Sequence, residues 1–307
     1  MENEDKSLEL SAELRENRRI QQQAHQGFSR LKAFDANRFV ESEIVTEQDI
    51  TGLCSRIKRR KRVDATDLVK LGTAFTQSEA NISAFMKVTG AIQVLVKEFT
   101  GSVRSQQILA AQCLCNLSLG DEVCCTKIAS FVGSYLMIYI LKSNDTTFAR
   151  ICLWITQNIA AAGPKAISIL LSQELLKNCL HVLLNAFDLE KEALQLLDII
   201  VEAKWETFEE TEKQDVKNGI WTVMNTPFNN PVVLQIFLKT QPDGGFTGSE
   251  KDATYIIEML VPKLRDGSVD SDLTYFTTMV LKLLATNSTL NVTTLAETVG
   301  EVSTTQS

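Results

Sequence analysis

Trp154 and Asn158 are the residues whose types and spacing most directly suggest binding chemistry in this 307-residue sequence. Side chains four residues apart on a helix lie on one face, one above the other. An exposed indole provides a flat wall for the aliphatic part of a lysine side chain and a π-face for its charge. An asparagine amide can hydrogen-bond the N–H and C=O groups of an extended peptide. The pair therefore predicts a surface that binds basic peptides.

The asparagine recurs at a fixed distance along the chain. The segment ILAAQCLCNLSLGDEV aligns without gaps with ARICLWITQNIAAAGP, which places Asn116 42 residues before Asn158 and Gln112 at the position of Trp154. A period of about 42 residues is typical of armadillo and HEAT solenoids, whose stacked helical units bury one shared core. This register favours a binding role, because a Trp–Asn pair without it is more often part of the packing.

Glycines form a second periodic marker. Gly90 and Gly133 precede the two aligned segments, 43 residues apart, and Gly219 follows after a further 86 residues. Glu174 or Leu175 takes the place of the glycine in the unit between. Glycine at this point fits a sharp bend between helices, which requires either a positive φ or a close approach of the chain. The pattern predicts an all-α fold, a right-handed armadillo-repeat solenoid of about five repeats with an N-terminal helical extension. Each repeat is expected to have a short first helix, a second helix opened by glycine and a longer third helix, at about 107–118, 149–160, 191–202, 230–240 and 272–285.

Charge is distributed unevenly along the chain. Residues 1–62 carry 13 Lys and Arg against 11 Asp and Glu, whereas the remainder has a net charge of −9. An acidic body suits a basic peptide better than nucleic acid or an anionic membrane. Uncharged apolar stretches, such as the 14 residues between Lys127 and Lys142, are shorter than the roughly 20 residues of a bilayer crossing. We therefore expect a soluble protein with no nucleic-acid partner and no membrane span.

Few residues in the sequence could support catalysis. The two histidines, His25 and His181, belong to no nucleophile motif, and His181 lies in an apolar helical run where a core or boundary position is expected. The seven cysteines lack zinc-ligand spacing and fall mostly in apolar runs, as free thiols of a reducing compartment do. These observations predict a protein that is not an enzyme and holds no metal and no cofactor.

The first 62 residues differ from the repeats. Residues 8–40 are rich in helix formers, with Arg15, Arg18 and Arg19 clustered at one helical turn. A basic run follows, formed by Lys58, Arg59, Arg60, Lys61 and Arg62. The sequence predicts a helix with a basic linker at 1–62, the solenoid at 63–295 and a disordered tail at 296–307. A solvated amphipathic helix that folds back on the solenoid is the alternative for residues 8–40.

The two aligned segments resemble the third-helix segments of the importin-α (karyopherin-α) family, through LAAQCLCNLSLGD and ICLWITQNIAAAGPKAISILL. Trp154 and Asn158 match that family's Trp-x-x-x-Asn pair. The order of an Arg-containing helix, a basic cluster and armadillo repeats is also similar. The short array and weakly basic helix look most like the divergent transmembrane and coiled-coil domain-containing relatives of the family.

The resemblance implies an adaptor in protein import into the nucleus, found in cytoplasm and nucleus. Basic signal peptides of cargo proteins would bind at Asn116, Trp154, Asn158 and Gln112. Importin-β would bind the N-terminal helix through Arg15, Arg18 and Arg19. Three interpretations of the Lys58–Arg62 run stay open. It could be an autoinhibitory pseudo-substrate, the chain's own localisation signal or a solvated linker.

The sequence also departs from the family pattern. The family's aspartate, four residues after the second asparagine, is Ala162 here, and the next third helix carries neither Trp nor Asn in register. An armadillo interaction scaffold that has lost conventional nuclear-signal binding is therefore the alternative function.

Overall fold

The computed structural model describes residues 44–226, 230–241, 246, 250–265 and 271–287. Over these residues the secondary structure is helical, and no β-strand occurs in them. The chain divides into two compact units, residues 1–199 and 200–307. Residues 8–40, with Arg15, Arg18 and Arg19, and the predicted tail at 296–307 lie outside the described residues.

The first unit is built from helices of 8 to 21 residues that belong to successive repeats. Its helices are α1 (Glu47–Arg60), α2 (Ala65–Gln77), α3 (Glu79–Lys87), α4 (Ala91–Phe99), α5 (Arg104–Leu117), α6 (Glu122–Lys142), α7 (Thr146–Ala162), α8 (Pro164–Leu171), α9 (Leu175–Asn185) and α10 (Glu190–Lys204), the last of which extends into the second unit. The described helices of the second unit are α11 (Glu210–Met224), α12 (Val232–Lys239), α13 (Glu250–Arg265) and α14 (Ser271–Asn287).

The predicted third helices are confirmed. They correspond to α5, α7, α10, α12 and α14, with ends that differ from prediction by a few residues. One of them, α7, begins at an aspartate that the local sequence provides as a helix-start signal. Asp145 caps α7, since its Oδ1 accepts a 3.1 Å hydrogen bond from the Phe148 amide. Helix α2 is a further third helix, which packs against α5, and α5 in turn packs against α7.

Two of the predicted helix-to-helix bends occur where expected. Gly90, with φ of +92°, lies immediately before α4. Glu174 has φ of +64° and lies immediately before α9, so this glutamate adopts the left-handed conformation that glycine adopts more easily. The expectation that Glu174 or Leu175 replaces the glycine is therefore confirmed at Glu174.

The predicted bend at Gly133 is wrong. Helix α6 continues through this residue for 21 residues. A Cβ at Gly133 would collide with Gln173 Oε1 and lie 3.1 Å from Leu170 Cδ2, so this glycine permits the close approach of the next repeat. Gly219 likewise lies inside a helix, α11, where it is buried. A glycine costs a helix only about 1 kcal/mol, so it does not by itself end one.

Aromatic side chains fill the core of the first unit. Three rings pack together: the ring centroid of Phe99 is 5.2 Å from that of Tyr139 and 6.0 Å from that of Phe148, and the latter two are 5.3 Å apart. Phe75 and Phe85 pack edge to face at 5.1 Å, a geometry that aromatic pairs prefer. These contacts connect helices of neighbouring repeats, and so each repeat needs its neighbours to complete its core.

Part of the basic run lies in a helix. Lys58, Arg59 and Arg60 form the last turn of α1, and Lys61 ends the helix with φ of +56°. Helix α1 packs against α3 and α4, and the domain boundary at residue 62 stays a prediction. Cations in the last turn suit the negative end of the helix dipole.

Helix α6 is unusually apolar. Its mean hydropathy reaches 1.6 over 18 residues, and half of that window is buried against the rest of the chain. By length and composition it is one helix that could cross a membrane, and the bent pair α8 and α9, with 72° between them, meets the same test. The expectation of no membrane span rests only on the 14 uncharged residues between Lys127 and Lys142, which are too few to cross a bilayer. The helix itself is longer, because it begins at Glu122.

Candidate functional site

Each third helix of the first unit has an exposed or partly exposed residue at a corresponding position. These residues are Val69 on α2, Gln112 on α5, Trp154 on α7 and Gln195 on α10, with sequence spacings of 43, 42 and 41 residues. We call them the third-helix face. Val69 and the two glutamines are exposed, and Trp154 is partly exposed. A row of this kind provides a wall along which an extended peptide can lie, with the Trp154 indole as its aromatic element.

Asn116 is buried one turn beyond Gln112. Its Nδ2 donates a 2.9 Å hydrogen bond to the main-chain carbonyl of Gly72 on α2, and the residue is 3% exposed. The hydrogen bond connects two successive third helices. An amide in this position satisfies a buried carbonyl, which the sequence pattern alone did not indicate.

Asn158 repeats this arrangement one unit later. Its Nδ2 donates hydrogen bonds to the Cys115 carbonyl at 3.2 Å and to Ser118 Oγ at 3.0 Å. The 42-residue register of the two asparagines therefore corresponds to a repeated contact between neighbouring repeats. Their role in binding a peptide backbone stays a prediction.

Gln157 makes a similar contact with the following repeat. Its Nε2 donates a 2.7 Å hydrogen bond to the Glu192 carbonyl on α10. Sequence reasoning missed this residue because its counterpart in α5 is Cys115, so no periodic signal marks it. Together Asn158 and Gln157 connect α7 to the third helices before and after it.

Two arginines join the beginnings of successive third helices. Arg104 on α5 pairs with Asp145 at 2.8 Å, and its guanidinium lies 4.0 Å from the centre of the Phe148 ring. Arg150 on α7 pairs with Glu192 at 2.9 Å and donates a 2.7 Å hydrogen bond to the Asp188 carbonyl. The hydrogen bond from Arg104 is the main reason why the pKa of Asp145 lies below its ordinary value, and the hydrogen bond from the Phe148 amide is the second.

These pairs neutralise two carboxylates at the beginnings of helices that carry the third-helix face. The carboxylates of Asp145 and Glu192 are already paired with arginines of this chain. At the end of α7, Ala162 is buried and contributes no charge. A peptide lysine near Trp154 would therefore not meet the carboxylate that the family pattern would have supplied there.

The acidic character of the chain lies mainly in the second unit. Residues 63–199 have a net charge of −2, and residues 200–307 have a net charge of −7. A surface depression of about 240 Å³ lies in this unit between the end of α10 and α12, and Trp205, Glu202, Glu206 and Lys239 contribute to its lining. Lys239 pairs with Glu202 at 2.7 Å. Sequence reasoning missed this site, although a tryptophan among glutamates at the end of a helix could have indicated it.

The Trp205 indole already serves as a platform for lysines. The Nζ atoms of Lys213 and Lys217 each lie 5.9 Å from the ring centroid, near the outer limit of a cation–π contact. Carboxylates and a partly exposed aromatic side chain together suit a cationic ligand group. This depression is therefore a second candidate site, described within its own unit.

The basic run makes contacts within the first unit. Arg60 and Arg62 each approach a carboxylate oxygen of Asp64 at 3.4 Å. The aliphatic part of Lys58 lies over Gly90, and its Cε is 3.6 Å from the point that a Cβ on Gly90 would occupy. All five residues from Lys58 to Arg62 are exposed and can therefore contact another molecule. An intermolecular role for them stays a prediction.

The remaining chemistry-bearing residues do not form a catalytic centre that we can identify in the described part of the chain. His181 is exposed on α9, which corrects the expected core or boundary position, because its helix turns this residue away from the buried leucines. The seven cysteines are free and buried. Over the residues that the structure describes, no group of three His, Cys, Asp or Glu side chains could hold a metal ion.

Comparisons with known proteins support the fold. No family model and no curated protein matches the chain. Among solved structures, a designed armadillo repeat protein in complex with the peptide (KR)4 is similar with a TM-score of 0.56 and 15% identity, over 79% of this chain and 100% of that one. A computationally designed armadillo repeat protein for modular peptide recognition gives a TM-score of 0.57 and 14% identity, over 76% and 99% of the two chains. The chain thus has an armadillo-repeat fold.

Proposed function

We propose that this chain is a non-enzymatic adaptor that binds an extended peptide along its third-helix face. The observation that carries the proposal is the row of Val69, Gln112, Trp154 and Gln195, which repeats with the period of the fold. The similar designed armadillo protein that holds (KR)4 supports a peptide as the class of ligand. A solenoid gives such a peptide one contact per repeat, so affinity accumulates along its length.

The finer version of this proposal is an importin-α-like adaptor in nuclear import, present in cytoplasm and nucleus. In this version, basic signal peptides bind at Gln112, Asn116, Trp154 and Asn158, and importin-β binds through Arg15, Arg18 and Arg19. It is supported by the resemblance of the aligned segments and by the overall charge of −7. The Lys58–Arg62 run would serve in this version as an internal pseudo-substrate or as the chain's own localisation signal.

The second candidate is an armadillo interaction scaffold that has lost conventional signal binding. The specific observations that favour it are the paired carboxylates of Asp145 and Glu192 and the amide hydrogen bonds of Asn116 and Asn158. With these groups engaged inside the chain, a basic peptide has fewer partners on this face. The described contacts of the first unit favour this candidate, with a ligand recognised mainly by apolar contact with Trp154.

The first experiment measures peptide binding by fluorescence anisotropy with the full chain. The probes are fluorescein-labelled (KR)4 and a neutral peptide of the same length. Trp154→Ala should raise the Kd of a peptide on the third-helix face at least tenfold, about 1.4 kcal/mol, because an aromatic anchor is lost. His181→Ala is the control, since His181 is exposed on another helix. Trp205→Ala reports separately on the depression of the second unit.

Two outcomes separate the versions. Binding of (KR)4 that Trp154→Ala weakens and Trp205→Ala leaves unchanged would support the nuclear-import version. If (KR)4 does not bind, a 12-residue random peptide library should be selected against the full chain. Selected peptides that bind Trp154→Ala as well as the native chain would contradict a ligand on the third-helix face.

Importin-β binding requires its own assay. A pull-down of purified importin-β by the full chain should be lost when Arg15, Arg18 and Arg19 are replaced together by alanine. Equal recovery with the native chain and the triple variant would exclude these residues as the binding site.

A further inference from the structure

Helix α6 carries an apolar stripe that its own repeats leave uncovered. Phe131, Tyr135 and Ile138 are 39%, 44% and 47% exposed, and their spacing of four and three residues places them on one face of the helix. The opposite face is buried against α7 and α8. We call these three residues the α6 stripe. It lies on a different helix from the third-helix face and does not depend on the function proposed for that face.

The stripe is more than a set of scattered surface residues. Leu141, one turn beyond Ile138, is also 38% exposed, so the apolar row extends to the end of the helix. Isolated exposed apolar side chains are ordinary in proteins, whereas a contiguous row with a polar border is typical of an interaction site. Ser130 and Ser134, both exposed on the same helix, provide part of that border.

The charges at the ends of the stripe have one sign. Lys127 precedes Phe131 by four residues and Lys142 follows Ile138 by four, so an exposed lysine stands at each end of the row. The one acidic residue of α6 is Glu122, in its first turn, where Oε1 accepts a hydrogen bond from the Lys165 amide at 2.8 Å. On the neighbouring helix α9, the exposed Lys177 forms an ion pair with Glu174, with 3.6 Å between Nζ and Oε1.

This charge pattern selects among the possible occupants. A second copy of the same stripe would bring lysine against lysine in either orientation, which is unfavourable. A membrane-spanning position would require the buried half of α6 to leave its contacts with α7 and α8. An acidic amphipathic helix fits both the apolar stripe and the lysines at its ends, because its aliphatic face covers the stripe and its carboxylates pair with the lysines.

We propose that the α6 stripe is a docking site for an acidic amphipathic helix of a partner protein. The two lysines are 15 residues apart, which is about 22 Å along a helix. The partner helix therefore needs about four turns, with aliphatic residues at three- and four-residue spacing in its centre and a Glu or Asp in its first and last turns. The lysines determine which helices dock, and the stripe provides the buried area.

The test uses the full chain and two 16-residue labelled peptides. Both carry leucine at positions 5, 8, 9 and 12. One has glutamate in its first and last turns, and the other has lysine at the same positions. We expect the glutamate peptide to bind at least tenfold more tightly than the lysine peptide. Lys127→Glu combined with Lys142→Glu should reverse this preference, a result that mere loss of stability would not produce.

A matched control lies on the same helix. Ile138→Ser should raise the Kd of the glutamate peptide at least tenfold. Val123→Ser should not, because Val123 is exposed in the first turn of α6, one turn before Lys127 and so outside the segment that the partner helix covers. Circular dichroism melting verifies that the variants are folded.

Three outcomes would overturn the proposal. The first is that neither peptide binds, or that Ile138→Ser leaves binding unchanged. The second is that the full chain sediments with phosphatidylserine vesicles through the same residues, which would assign the stripe to a membrane surface. The third is a concentration-dependent dimer in analytical ultracentrifugation that Ile138→Ser dissociates, which would assign the stripe to self-association.

Discussion

The side chain of Asn116 donates a 2.9 Å hydrogen bond to the main-chain carbonyl of Gly72, 44 residues earlier in the chain. The hydrogen bond joins the third helices of two successive repeats, and Asn158 forms the equivalent contacts one repeat later. The most regular polar feature of the sequence therefore connects repeats. This contact makes a direct prediction about stability.

Asn116→Ala should lower the free energy of unfolding by about 0.5 to 1.5 kcal/mol, because it removes a buried hydrogen bond between two third helices. Urea unfolding followed by circular dichroism measures the change. Gln112→Ala, on the exposed side of the same helix, should change stability by less than about 0.5 kcal/mol. Equal effects of the two variants would show that the hydrogen bond contributes no stability.

Glu174→Gly should raise the free energy of unfolding by about 1 kcal/mol. Residue 174 has φ of +64°, and a side chain with a Cβ is strained in this conformation whereas glycine is not. The control is Glu174→Gln, which keeps the strain and removes the exposed ion pair with Lys177, worth well under about 1 kcal/mol. A Gly variant less stable than the Gln variant would contradict the assigned conformation.

Arg150 and Glu192 should be energetically coupled. Arg150→Met keeps the aliphatic part of the side chain but leaves the mostly buried Glu192 carboxylate without its partner, and should cost about 1 to 2 kcal/mol. Glu192→Gln in the same background should recover part of this loss. A double-mutant cycle with urea unfolding measures the coupling, which we expect to be about 1 kcal/mol. Additive effects would mean that the 2.9 Å contact has no energetic role.

The buried cysteines should make stability fall at alkaline pH. Burial raises the pKa of Cys54, Cys124 and Cys179 from the ordinary value of 9.0 to about 12. The folded state therefore holds these protons more tightly than the unfolded state does. The stability that these three protonated thiols contribute is fully present below pH 9 and is lost as the pH rises toward 12.

At pH 10 the loss should be about 1 kcal/mol for each of Cys54, Cys124 and Cys179, as measured by urea unfolding at pH 8 and pH 10. Iodoacetamide should react slowly with the folded chain at pH 8 and with all seven cysteines in urea, because the thiolate is the reactive form. Rapid labelling of the folded chain would contradict the burial of these thiols.

The sequence predicted some residues well because their signals are local or periodic. Third helices such as α7 follow from apolar residues at three- and four-residue spacing, and the bend at Gly90 follows from a glycine before an apolar run. Gly133 has the same sequence appearance, yet it lies inside a continuous helix. Its position depends on Gln173 and Leu170 of the next repeat, which no local pattern reveals.

By itself the sequence determined the helical class, the repeat of about 42 residues and the position of most third helices, because these depend on spacing within the chain. The tertiary structure alone decided which polar groups face inward. It turned Asn116 and Asn158 toward the preceding repeat, paired Arg104 and Arg150 with carboxylates 41 and 42 residues away, and left the α6 stripe uncovered. Each of these facts depends on how two repeats stack, and side-chain partners between repeats are set by that packing and not by residue type.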